Sequence, residues 1–187
     1  IANTTYHMWL IKRSDTGVVD ALFSASASAP TMPANYDFKR RIGSILRESA
    51  AIVAFTQNGD EFLRSSPVAD ANTNNPGTSA VLETLLVPAG ITVDAIVGFK
   101  ARFDDCNATY ILLSSPAQTD VAPSSTIHDI HVSSADVANN DSFIGSVIAQ
   151  VRTNTSAQIR YRSSASGAGL TVVITTHGWI DTRGRLA

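Results

Sequence analysis

The sequence predicts an all-β fold, an antiparallel β-sandwich of jelly-roll-like form with little helix. Three observations carry that expectation. Apolar residues come in short runs that alternate with polar ones or are continuous, and the runs end at Gly, Pro, Asn, Asp or Ser. Helical spacing of apolar residues is nearly absent. Asn58-Gly59 sits between two such runs and signals a hairpin, because a type I′ turn needs positive φ at both central residues.

Strands are expected over 5–12, 18–24, 41–47, 52–57 and 61–64. More follow over 80–87, 91–103, 108–114, 126–132, 142–153, 158–163 and 170–180. The first is apolar on both parities from Tyr6 to Ile11, as in a central strand or one covered by another subunit. The turn at Asp15-Thr16-Gly17 leads into the second, and Asn58-Gly59-Asp60 joins 52–57 to 61–64. Late strands alternate clearly. Val147, Ala149 and Val151 oppose Ile148, Gln150 and Arg152, while Ile159 and Tyr161 oppose Gln158, Arg160 and Arg162. Val172, Ile174, Thr176, Gly178 and Ile180 share one parity. Gly167-Ala168-Gly169 reads as a hairpin turn.

The connections 24–35, 65–79 and 114–125 are rich in Pro and Ser, and 70–77 has almost nothing to bury, so it reads as a surface loop. Short helices find their best candidates at 36–41 and 135–139. Composition does not shift along the chain, and a single β domain over 1–187 is expected.

Charged residues make up 16% of the 187, against about 25% in an ordinary soluble domain. Ser, Thr, Asn and Ala fill the gap. The net charge is −2, which argues against nucleic acid as a partner, since phosphate neutralisation needs a basic excess. The run Lys39-Arg40-Arg41 reads as a solvated turn or an inter-subunit salt bridge. A single cysteine, Cys106, rules out an intrachain disulfide. No apolar run approaches the roughly 20 residues of a spanning helix, so membrane insertion is not expected. The polar, uncharged start Ile1-Ala2-Asn3-Thr4-Thr5 is not a signal peptide, and without an initiator Met the chain reads as the C-terminal part of a longer protein.

Residues that could carry chemistry are scattered. His128 and His131 stand three apart, a metal-ligand spacing on a helix, but the flanking Ile127, Ile130 and Val132 suggest a strand, where they diverge. No metal and no cofactor is expected. His177 before Gly178-Trp179 and His7 near Trp9 read as hydrogen-bonded strand histidines. No G-x-S-x-G elbow is present, and Cys106 sits beside Asp104 and Asp105, whose charge would raise its pKa rather than activate it. A non-enzyme is therefore expected, with no catalytic residue assigned. Trp9, Phe23, Phe55, Phe62, Phe99, Phe143 and Trp179 lie in apolar runs and read as core, although Trp9 and Trp179 as a sugar-stacking platform is the alternative.

The block beginning Tyr6-His7-Met8-Trp9-Leu10, the segments 36–48 and 52–63, and the tail segments 150–154 and 176–185 carry a wider likeness. Together they resemble a family of bacteriophage virion structural proteins, tail-fibre-like or head-fibre-like. The resemblance implies a virion location after assembly in the bacterial host cytoplasm, a β-rich region upstream, and other virion proteins as neighbours. It implies a fibre head that attaches to the host surface, with a capsid decoration or head-fibre protein as the alternative and a glycan-degrading tailspike-type enzyme behind it. Phage fibres are commonly trimers, so a homotrimer with an interface of Ser, Thr and aliphatic residues is expected. The ligand expected is a bacterial surface glycan, held by amide- and carboxylate-rich turns. The candidates are Asp104, Asp105 and Asn107 in one turn, and Asn72, Asn74 and Asn75 in the loop 70–77.

Overall fold

The structure is a computed structural model that describes residues 4–104, 109–127, 131–134 and 142–183. Among these the chain is all β, with no helix. The strands are β1 (Thr4–Arg13), β2 (Val19–Ser24), β3 (Tyr36–Glu48), β4 (Ala51–Ile52), β5 (Phe55–Asn58), β6 (Glu61–Asn74) and β7 (Val81–Thr84). They continue with β8 (Asp94–Asp104), β9 (Thr109–Ser114), β10 (His131–Ser134), β11 (Ser142–Arg152), β12 (Gln158–Ser163) and β13 (Leu170–Ile180). All pairings are antiparallel and form three sheets. The N-terminal sheet has the order β2-β1-β3-β4, the small sheet β10-β9-β12-β7, and the large sheet β11-β8-β13-β6-β5.

The small and large sheets face each other as a sandwich. One apolar cluster joins Phe99, Phe103, Val172, Ile174 and Trp179 of the large sheet to Ile111, Leu113, Ile159 and Tyr161 of the small one. The alternation that marked these strands is the cause, since every second side chain points into the space between the sheets. At one end Trp179 stacks on Phe62 with ring centroids 5.5 Å apart and planes 6° apart, and Phe55 tilts against both. The N-terminal sheet covers this end. Its β1 is a central strand, as its apolar run implied, with His7, Trp9 and Ile11 buried and Leu10 and Lys12 exposed.

Several expectations are corrected. The segment 36–41 is not helical but the start of β3, paired with β1 through Phe38–Lys12, Lys39–Ile11 and Arg40–Leu10. Six residues are too few to pay the nucleation cost of a helix, whereas each adds a rung to a ladder. The strand expected over 52–57 is two, β4 and β5, because the chain changes sheets: Val53 still donates its N–H to the Leu46 carbonyl of β3, whereas the Ala54 carbonyl accepts from Ser65 of β6. The hairpin at Gly59 forms, but Asn58 closes the ladder opposite Glu61 and positive φ occurs only at Gly59. That is the φ pattern of a II′ turn rather than I′.

The largest departure is β6, which runs through Pro67 to Asn74. Its register against β13 jumps from Val68–Thr176 to Leu63–Gly178, so residues 64–67 bulge out opposite His177. Pro67 is tolerated there because a bulge asks no ladder N–H of it. The loop expected over 70–77 is consequently strand as far as Asn74, and the turn begins at Asn75. Of the strand expected over 126–132, the described residues show an isolated bridge between Ser124 and Ile127 and the start of β10 at His131, and 128–130 lie outside them. Gly167–Gly169 does not close a hairpin, since β12 and β13 belong to different sheets. It crosses between them, and Gly169 is required because a Cβ there would fall 1.8 Å from the Asp104 carbonyl oxygen. Phe23 and Phe143 are exposed rather than in the core. The helix candidate 135–139 lies outside the described residues.

Candidate functional site

The outer face of the large sheet gathers several residues that the sequence left far apart. Cross-strand register sets them in rows. Asn74 of β6, Thr171 of β13, Arg102 of β8 and Ile144 of β11 form one row. Asn72, Val173, Lys100 and Ser146 form the next, and Ala69, Thr175, Gly98 and Ile148 the third. Directly opposed residues of antiparallel strands share a face, so each row is a line of neighbouring side chains. Their intervening partners, Val97, Phe99, Ala101, Val172 and Ile174, are buried beneath.

The second and third rows surround a shallow depression of about 490 Å³, lined among others by Gly98, Lys100, Ser146, Val173, Thr175 and His177. Gly98 keeps it open on one side, for a Cβ there would lie 2.9 Å from His177 Nε2. Lys100, Ser146, Thr175 and His177 thus bring an ammonium, two hydroxyls and an imidazole to an otherwise apolar hollow. Among the described residues no hydrogen bond joins Ser146 to His177, and no carboxylate lines the hollow. Opposite Val173 of the lining, Asn72 of β6 is exposed and makes no hydrogen bond among the described residues, so its amide is free at both ends. Asn74 is partly engaged, its Oδ1 accepting from Thr171 Oγ1 at 2.8 Å.

The structure brings together three of the sequence candidates on this face: Asn72, Asn74 and Asp104. Asp104 ends β8 one step beyond Arg102, whose Nε donates to it at 2.9 Å. They are strand residues, not loop residues, because β6 and β8 run on further than composition suggested. Asn75 does not join them. It adopts positive φ in the turn and its Oδ1 accepts the Gly167 N–H, which ties two connections together. Asp105 and Asn107 lie outside the described residues, as does His128, while His131 opens β10. Among the described residues no group of three or more His, Cys, Asp or Glu converges as a metal site would require. Trp9 is 6% and Trp179 0% exposed, so neither offers a stacking platform. Lys100, Thr171, Val173, Thr175 and His177 were missed. The signal was their parity, opposite to the apolar residues of β8 and β13.

Two polar clusters lie away from this face. Beneath the N-terminal sheet Arg41 makes two bonds to the Asp181 carboxylate and one to Ser44 Oγ, and Ser44 Oγ lies 2.8 Å from His7 Nδ1. His7 is fully buried, and burial, aided by the Arg41 charge, pushes its imidazole below the usual histidine range. In the sandwich Asp70 accepts from the Leu86 N–H and the Thr176 hydroxyl, and burial pushes its carboxyl upward. Glu83 is raised too, first by burial and then by the charge of Asp70. These clusters tie elements of the fold together.

No protein-family model matches the chain, and no curated protein matches it. The site therefore has to be read from its own geometry.

Proposed function

We propose that this chain is a structural protein of a bacteriophage particle, the head of a fibre, and that the outer face of its large sheet contacts a glycan of the bacterial surface. The observation that carries the reading is the free Asn72 amide, set opposite Val173 in the ladder that lines a hollow furnished by Lys100, Ser146, Thr175 and His177. A sugar presents hydroxyls that donate and accept together with apolar C–H faces. Amide, hydroxyl and ammonium groups set around Val173 and Gly98 meet both needs. The likeness of the segments 6–24, 36–48 and 176–185 to virion proteins supports the setting. The low charge content supports repeated copies in one particle. A homotrimer is the assembly we propose, with the exposed apolar face of the N-terminal sheet, Leu10, Val19, Phe23 and Phe38, as the threefold contact.

The test is the double variant Asn72→Ala with Lys100→Ala. Both side chains are exposed, so the melting temperature should stay within about 2 °C of the parent. Loss of one neutral and one charged hydrogen bond should weaken attachment to host cells by roughly tenfold or more. Attachment unchanged in the folded variant would remove this face from recognition and favour the capsid decoration alternative.

A further inference from the structure

We propose that β11 is a self-association strand, and that the free edge of the large sheet pairs antiparallel with β11 of a second copy across a twofold axis at Ser146. The strand is the outermost of its sheet, hydrogen-bonded to β8 on one side, and among the described residues no strand pairs with its other side. An edge of this kind presents a row of unpaired N–H and C=O groups, whose natural complement is another strand. Edges are normally guarded by Lys, Pro, bulges or shortness. Here the guards are absent until Arg152, the last residue of the strand, which is paired with Asp94 of β8. The register with β8 is unbroken over its full length of 11 residues, and no residue from Ser142 to Val151 is charged. On the outward face Ile144 is 58% and Ile148 70% exposed, and on the other parity Phe143 and Val147 are partly exposed at 44% and 38%.

Length selects the occupant. The other sheet edges are β2 with 6 residues, β4 with 2, and β5, β7 and β10 with 4 each. Within this chain only another β11 can match a ladder of 11. Parity then selects the register. A twofold axis perpendicular to the sheet reverses the strand but keeps its faces, so outward residues must oppose outward residues. Centred on Ser146, the pairing sets Ile144 against Ile148 on both sides of the axis, Ser142 against Gln150, and Phe143 against Ala149 beneath. Centring on Gly145 would set Ile144 against Ser146, and centring on Val147 would set it against Gln150. Of these three central registers, only that on Ser146 matches branched aliphatic to branched aliphatic on the outward face, the pairing a sheet favours. The outcome is one continuous sheet carrying two copies of the hollow side by side.

This contact is read from the strand alone and stands or falls apart from the glycan reading. The test is the native mass of the whole chain at micromolar concentration, beside the variant Ile148→Lys. Ile148 is so exposed that the variant should fold and melt like the parent, and Ile144→Lys provides a second variant on the same face. Each places a guard charge against a desolvated partner, and the native mass should halve. It halves whether the parent is a dimer or a pair of trimers, so the threefold proposal does not confuse the result. A parent of one or three copies, or a mass unchanged in both variants, would overturn the proposal. In a Cys106→Ser background, Ser146→Cys should cross-link two copies spontaneously, because facing Cα atoms at about 4.5–5.5 Å lie within disulfide reach. A halved mass without that cross-link would overturn the register.

Discussion

The N-terminal sheet and the sandwich it covers are held by different forces. In the sandwich, rings and branched side chains fill the space between two sheets: Phe62, Phe99, Phe103, Ile111, Leu113, Ile159, Leu170, Ile174 and Trp179 are essentially inaccessible. The N-terminal sheet contributes only Leu46 to that cluster. It is attached instead by polar ties. Arg41 grips Asp181, Arg183 donates to the Ile42 carbonyl and pairs with Asp60, and the Ala89 N–H donates to Thr5 Oγ1. Within it, His7 Nε2 and Trp9 Nε1 are buried without a hydrogen-bond partner among the described residues. The sandwich carries one such group too, Trp179 Nε1, and each costs free energy. The comparison teaches that one protein can carry a rigid body and a separately latched cover. The cover depends on a few charges, the body on many weak contacts.

The largest effect that sharpens this contrast should come from Trp179→Ala. It removes the ring stacked on Phe62 and leaves a void that neighbours in two sheets cannot fill. A loss of about 3–5 kcal/mol is expected in chemical denaturation. Asp181→Ala should come next, at about 3 kcal/mol, because it leaves the Arg41 guanidinium buried with no counter-charge. Its damage should be confined to the cover.

The smallest effects are those of pH, and their signs differ between the regions. His7 titrates lower in the fold than its ordinary 6.5, so the unfolded chain binds more protons as pH falls through that range. The N-terminal sheet should therefore weaken as pH drops below about 6.5. Asp70 and Glu83 titrate higher in the fold than their ordinary 3.8 and 4.5, so there the folded chain binds more protons. The sandwich should weaken as pH rises from about 4 through their raised values. His7→Asn should flatten the first slope and Asp70→Asn the second, measured as denaturation midpoints against pH. A His7→Asn protein that kept the full acid sensitivity would break this part of the contrast.

Much of the body was legible in the sequence, and little of the site was. Strands such as β11, β12 and β13 announce themselves because one face is buried and period-2 alternation follows. Two things hid β6. Pro67 reads as a strand breaker unless one knows that a bulge opposite His177 accepts it, and Asn72 and Asn74 read as loop residues unless one knows that β13 lies beside them. Arg160 is a similar case. Parity assigns it to the wet side of β12, yet it is buried, donating to Ser114 Oγ and to the carbonyls of Ser115, Gln118 and Thr119. Local pattern cannot reveal partners more than 40 residues away. The hollow on the large sheet has the same origin: it is made by the register of β8, β11 and β13, and register across sequence-distant strands is not written in any one of them.

The most direct test of a latched cover on a rigid body is site-resolved hydrogen exchange of Asp181→Ala beside Trp179→Ala. In Asp181→Ala, the amides of β1 and β3 should exchange on the order of a hundredfold faster, while those of β8, β9 and β12 keep the protection they have in the parent. In Trp179→Ala all of these strands should lose protection together. Equal loss in both sheets of the sandwich on removing Asp181, or no loss in β1 and β3, would contradict the account.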